Sequence, residues 1–281
     1  MINYFAGSAR HVSHSGKRFG LGYEIINNHL IAWIDQSELE LREEFFNKKS
    51  NLLIDSGAFS AFNSGKKIDI NEYAEFIKNY ILVWKKKLKS LNFINLDVIG
   101  DAEKSWKNQH KLEKLNVNTI PVIHQEGFKK RHLDRACNEY NYFAVGGLVG
   151  KNRKKEVIPF LDYCYKLIFE YYKKNKKLIK VHLLGVASEK ILYRYPCFSC
   201  DSTIFMKLFR FGSSDYLKIK KLPRVGKKSY LKYKNRNKNY YNQGEDEKLL
   251  NKIMKKEIQS IQKQEKEITE FWKKKGIDFE I

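Results

Sequence analysis

The feature that most constrains this chain is a series of strand-length apolar runs separated by amphipathic helical stretches. The runs cover 2–6, 51–54, 93–96, 119–123, 142–145 and 180–184, and each ends in glycine, aspartate or another polar or turn-forming residue. Between two of them, residues 71–88 carry Tyr73, Phe76, Ile77, Tyr80 and Ile81 on one helical face, with Asp69 or Asn71 as the cap. Residues 157–172 read as a second helix. Strands alternating with helices imply parallel strands joined by crossover helices. In such folds ligand sites gather at the carboxyl ends of the strands. Here those positions hold Asp55-Ser56-Gly57, Asp97, His124-Gln125, Gly146-Gly147 and Gly185. No internal repeat is evident.

At 281 residues, with 42% hydrophobic and 14% aromatic residues, the chain has ample material for one large barrel or two smaller domains. Its 54 Lys plus Arg against 32 Asp plus Glu leave a formal net charge of +22. Such an excess does nothing for a fold but creates a long-range field that attracts polyanions, nucleic acid first and an anionic membrane surface second. The plainer source is a base-composition bias that inflates lysine whatever the function. Four cysteines make no disulfide framework and fit a reducing compartment. Residues 1–7 lack the basic and long apolar regions of a secretory leader, and no apolar run approaches the ~18 residues of a membrane span. The expectation is a soluble cytoplasmic protein with no membrane partner.

The composition changes near Lys218. From Lys218 to Tyr240 there are ten basic residues and no acidic one, interleaved with Tyr230, Tyr233 and Tyr240. Arg210, Lys218, Lys220, Lys221, Arg224, Lys227, Lys228, Lys232, Lys234 and Arg236 are the candidates for gripping phosphates, with the tyrosines stacking on exposed bases. A solvated lysine-rich loop is the alternative. His11, His14, Lys17 and Arg18, after the first strand, can line the same mouth. Residues 245–275 then read as one helix, with Leu250, Met254, Ile258, Ile261, Ile268 and Trp272 in a stripe that Glu265 interrupts. The broken stripe favours docking on the barrel over a coiled-coil partner. This divides the chain into 1–215 and a C-terminal extension, 216–281.

Taken singly, the strand-end motifs are weak, because an aspartate before Ser-Gly is more often a plain turn. Their order is informative. Asp55-Ser56-Gly57-Ala58-Phe59-Ser60, Asp97, Gln125-Glu126-Gly127, Gly146-Gly147-Leu148, His182-Leu183-Leu184-Gly185-Val186 and Asp201-Ser202-Thr203 together resemble the tRNA-guanine transglycosylase superfamily over roughly residues 1–215. Tyr195-Pro196 and Asp201-Ser202-Thr203 look closer to the phage and bacterial branch that acts on DNA with 7-deazaguanine bases.

The resemblance implies a (β/α)8 barrel that exchanges guanine in nucleic acid for a 7-deazaguanine, with no cofactor. DNA is favoured over tRNA, in the cytoplasm of a host cell if the chain is phage-encoded, and accessory proteins or a homodimer are compatible partners. It further implies that Asp201 attacks the anomeric carbon, while Asp55 protonates the departing base and deprotonates the incoming one. Asp97 would read the guanine edge, since a carboxylate accepts from a ring N–H and an exocyclic amine together. Gln125 or His124, and the Gly147 backbone N–H, would meet the carbonyl oxygen. Ser56, Gly57, Phe59, Gly146, His182 and Gly185 complete the substrate-binding set.

Simpler roles exist for two of these residues. Asp97 can cap a helix, and His124 can be a core histidine. The chain departs from the family at Ala58 and Ser60, where a second glycine and a glutamine are usual. No cysteine follows Cys200, so the zinc site of the bacterial tRNA enzymes is not expected. Cys197 and Cys200 are read as buried thiols beneath Asp201 rather than metal ligands. Two other functions remain: a hydrolytic glycosylase using the same aspartates, and a barrel that binds nucleic acid without chemistry.

Overall fold

The computed structural model describes residues 1–7, 10–12, 18–20, 22–148, 154–206 and 243–279. Within them the strands are β1 (Ile2–Ala6), β2 (Arg10–Val12), β3 (Arg18–Gly20), β4 (Asn28–Ala32), β5 (Asn51–Asp55), β6 (Ser90–Phe93), β7 (Val122–His124), β8 (Tyr142–Gly146), β9 (Lys180–Leu183) and β10 (Ser199–Ser202). The α-helices are α1 (Gln36–Glu43), α2 (Ala58–Ser64), α3 (Ile70–Trp84), α4 (Ala102–Lys114), α5 (Lys130–Glu139), α6 (Lys154–Asn175), α7 (Glu189–Leu192) and α8 (Gln243–Lys274).

Strands β2 and β3 form an antiparallel hairpin. The other eight make one curled parallel sheet in the order β6-β5-β4-β1-β10-β9-β8-β7. Its two outer strands meet at one point. Ile94, just past β6, forms an isolated parallel bridge with Ile120, just before β7. There the Ile120 N–H donates to the Phe93 carbonyl at 2.7 Å and the Asn95 N–H to the Ile120 carbonyl at 3.0 Å.

Period-two alternation sorts the side chains to the two faces of this sheet. Ile2, Tyr4, Leu30, Leu53, Ile94, Ile120, Val122 and Ala144 form one inner cluster drawn from strands all around the curl. Their neighbours point outward: Leu52 and Ile54 pack with Tyr73, Ala74 and Ile77 of α3. Phe143 and Val145 pack with Leu133 and Ala136 of α5 and Leu161 of α6. Burial on both faces is why these strands read as continuous apolar runs rather than alternating ones.

Several expectations need correcting. Phe93–Leu96 is not a strand as read; β6 ends at Phe93, where the chain turns aside to make the bridge, so Asp97 lies in the following loop. Likewise β7 begins at Val122 and not at Thr119. Strand β4 (Asn-His-Leu-Ile-Ala) is not among the runs read from sequence, and β10 (Ser-Cys-Asp-Ser), which has little apolar pattern, is expected there only as a late strand end at Asp201. Asp69, not Asn71, caps α3, its carboxylate accepting from the Asn71 and Glu72 amides at 2.7 and 3.1 Å. The cap of α4 is Asp101, which accepts from the Lys104 amide at 2.9 Å, so Asp97 does not serve there. Arg210, the basic tract from Lys218 to Lys238, His14 and Lys17 lie outside the described residues. Among the described residues no helix is long and apolar enough to cross a membrane.

Helix α8 docks on the sheet assembly along its stripe. Met254, Ile258 and Ile261 pack with Phe5, Tyr23 and Phe205. Farther along, the Trp272 indole N–H donates to the Leu192 carbonyl at 2.8 Å, and beyond the helix Phe279 enters the inner cluster edge-on to Phe198. Glu265 breaks the stripe because it faces a polar seam at the amino ends of the strands. There Ser90 donates to Asn51, Asn51 to Asn28 and Asn28 to Glu265, the last at 3.3 Å. Burial pushes the Glu265 carboxyl up to about 7.

If this docking stabilises the fold, Ile258→Ala should lower unfolding free energy by about 3 kcal/mol, the usual effect of emptying a buried aliphatic site. Gln259→Ala, on the exposed side of the same turn, should stay within about 0.5 kcal/mol. Urea denaturation of both variants checks the difference.

Candidate functional site

The carboxyl ends of the strands gather acidic and imidazole side chains around one space. Asp55 is the last residue of β5 and lies on the same strand face as the inner-cluster residue Leu53. The chain turns sharply after it. Gly57 has φ 83°, and a Cβ there would sit 2.6 Å from Ile34 Cγ1, so a side chain is excluded on both counts. In this turn the Gly57 amide donates to Asp55 Oδ2 at 2.9 Å. Burial, then the neighbouring Asp97 and Asp201 carboxylates, outweigh that bond and push the Asp55 carboxyl up to about 7. Asp55 therefore feels both of the other acids.

Asp97 is held by its loop rather than by a strand. The Asn108 side chain donates to the Leu96 carbonyl at 2.8 Å, and the Val98 amide donates to Ser105 Oγ at 2.8 Å, fastening both flanks of Asp97 to α4. Its Oδ2 lies 2.7 Å from His124 Nε2. His124, the last residue of β7, is buried in this acidic pair and not among apolar neighbours alone. Gly146 leaves the His124 ring its room, because a Cβ there would lie 3.2 Å from His124 Cε1 and 3.1 Å from Val122 Cγ1.

Asp201, third residue of β10, is buried and accepts two hydrogen bonds on one oxygen. Oδ1 takes the Gly185 amide at 2.7 Å and faces His182 Nε2 at 3.1 Å. Neither bond involves Oδ2, so the two oxygens of this carboxylate are chemically distinct. His182 is fully buried, edge-on to the Tyr4 ring with centroids 6.0 Å apart.

The structure thus brings together Asp55, Asp97, His124, His182, Gly185 and Asp201. Ser56 and Gly57 form the turn beside them, and Ser56 Oγ accepts from the Ala58 amide at 3.3 Å. Phe59 and Phe62, on α2 directly after this turn, are 63% and 65% exposed, unusual for rings of this size. Gln125 follows His124; its Oε1 is buried without a hydrogen-bond partner among the described residues. Gly147, with φ 76°, follows β8 at the same end of the sheet. Sequence reasoning missed Ser199, which contacts His182, and Tyr142, which contacts Ser199. Ser199 had one available signal, standing two residues before Asp201 and hence on the same strand face. A separate cleft of about 410 Å³ between α4 and α5, floored by Trp106, shares none of the carboxylate set.

This arrangement has a pH signature. Because the folded Asp55 carboxyl is raised to about 7, its protonated form favours the fold, and that contribution is lost as pH rises from about 4 through 7. Asp55→Asn, which keeps an acceptor for the Gly57 amide, should therefore be more stable than the parent at pH 8, by on the order of 2 kcal/mol, and equal to it near pH 4. Thermal unfolding at the two pH values measures this. Comparison of the sequence with protein-family models and with curated proteins finds no match, so the function of the site is argued from its own geometry.

Proposed function

We propose that the curled sheet is a closed (β/α)8 barrel whose mouth carries out base exchange on nucleic acid. In this reading guanine in DNA is replaced by a 7-deazaguanine through a covalent glycosyl-aspartate. The bridge between Ile94 and Ile120 and the inner cluster drawn from around the curl support the closed barrel.

The observation that carries the chemistry is the division between two acids sharing one space. Asp55 is pushed to about 7, where it can both give and take a proton at neutral pH. Asp201 has one oxygen held by the Gly185 amide and the His182 ring, and the other without a hydrogen bond among the described residues. Breaking a glycosidic bond by two displacements requires this pairing of a proton-transfer acid with a nucleophile.

In the first displacement Asp201 Oδ2 attacks the sugar C1′, the bond from C1′ to the guanine nitrogen breaks, and Asp55 gives its proton to the departing base. In the second, Asp55 takes the ring N–H proton of the incoming base, whose nitrogen attacks C1′ and releases Asp201 as a carboxylate. The atoms and charges balance without a further reactant. His124 leaves Asp97 Oδ1 available for the donor edge of a guanine, and Gln125 supplies a polar group with an unmet acceptor. The exposed Phe59 offers a face for stacking. A target in duplex has to leave the stack to reach carboxylates this buried. The net charge of +22 suits a polyanionic substrate.

Incubation with radiolabelled guanine and, separately, duplex DNA, single-stranded DNA or tRNA tests the reading. Label should enter DNA, with a rate that falls on both sides of about pH 7 as Asp55 loses one or the other of its roles. Asp201→Asn and Asp55→Asn should each lower exchange by about 10³-fold or more. Label entering tRNA alone would move the substrate to RNA. Abasic product without label would make the enzyme a hydrolase, and neither product would remove the catalytic reading.

A further inference from the structure

A chain of side-chain hydrogen bonds runs inward from Asp201. His182 Nε2 faces Asp201 Oδ1 at 3.1 Å, and His182 Nδ1 lies 2.7 Å from Ser199 Oγ. Ser199 Oγ in turn lies 2.6 Å from the Tyr142 hydroxyl. Strand register builds this line, since His182 of β9 is paired with Ser199 of β10 on one side and Ala144 of β8 on the other.

We infer that Ser199 and Tyr142 are positioning residues that hold the His182 ring through Nδ1, with its Nε2–H on Asp201 Oδ1, and thereby set which oxygen of Asp201 is held. The direction of every bond follows from the carboxylate end. An ionised Asp201 only accepts, so the ring nitrogen facing it carries the hydrogen. In its neutral form the imidazole then has a lone pair at Nδ1, and the Ser199 hydroxyl is the group placed to donate to it. With its hydrogen committed, Ser199 Oγ accepts from Tyr142. Burial holds the Tyr142 phenol well above its ordinary value, so it keeps the proton that this role needs.

The other titratable groups around the chain are Tyr4 on β1, Cys197 just before β10, Cys200 within it, and Asp55 across from Asp201. None of them has a hydrogen bond to either His182 nitrogen among those described. Without the Ser199 hydroxyl Nδ1 is left with no donor among the described residues, and the ring loses the bond that keeps its Nε2–H turned onto Asp201 Oδ1.

The kinetic consequence rests on Asp201 being the nucleophile of base exchange; the tautomer does not. Nitrogen-15 NMR of ring-labelled histidine, assigned through His182→Gln, reads it directly. The wild-type spectrum should show His182 protonated at Nε2 with Nδ1 as a hydrogen-bonded acceptor, Ser199→Ala should move the Nδ1 signal to that of a bare lone pair, and Ser199→Thr should restore the wild-type pattern. Exchange by Ser199→Ala should fall about tenfold in kcat with KM for nucleic acid unchanged, and Tyr142→Phe should fall about threefold. A wild-type ring protonated at Nδ1, or a Ser199→Ala spectrum like the wild type, would overturn the inference. So would an altered Nδ1 signal with an unaltered exchange rate. If the protein exchanges no base at all, the spectra still decide the tautomer while the base-exchange reading fails on its own.

Discussion

Three carboxylates in a space largely closed to water set the terms for everything around them. A buried charge is costly unless it is protonated or given hydrogen-bond donors, and like charges nearby raise that cost. Each acid here meets the problem differently. Asp55 has backbone donors, chiefly Gly57 and then Ser56, which do not offset its burial, and it is driven toward its protonated form. Asp97 has the His124 imidazole, and Asp201 has an imidazole and the Gly185 amide together. The glycines of the site follow from this requirement: Gly57 makes the turn that returns an amide to Asp55, and Gly146 makes room for the ring that serves Asp97. A site of this kind works against the stability of its own fold, as expected where acids of unequal protonation are kept for chemistry.

The scaffold offsets that burden on the side away from the site. The inner cluster fills the curl beneath the acids, α8 packs along the assembly through Ile258, and its last turn and following segment anchor through Trp272 and Phe279. The polar seam of Ser90, Asn51, Asn28 and Glu265 runs across the amino ends of the strands, so even the interruption in the α8 stripe has a structural partner.

Much of the architecture was legible from the residues, and the reasons are physical. Runs such as Leu52-Leu53-Ile54 and Phe143-Ala144-Val145 are apolar at every position because both faces are buried, so they stand out as strands. Asp55 and His124 were found at strand ends because their strands announce themselves. β10 was the opposite case: Ser199 and Asp201 face the site, which leaves no apolar pattern, and only the order of motifs pointed to Asp201. The pairing of His124 with Asp97, and of His182 with both Asp201 and Ser199, joins residues up to 27 positions apart through strand register. Register between parallel strands depends on crossover geometry and leaves no mark in local sequence. The loop position of Asp97 was hidden for a similar reason, since the bridge that diverts the chain at Ile94 is made with Ile120.

The central claim is that Asp201 forms a covalent bond to a sugar while Asp55 manages the proton. The most direct measurement is to mix the protein with guanine-containing DNA, remove the released base, quench, and map the adduct by peptide mass. The account predicts a nucleotide attached through Asp201, present in the wild type and absent from Asp201→Asn. Base release with no adduct, or an adduct mapped to Asp55 or Asp97, would contradict it.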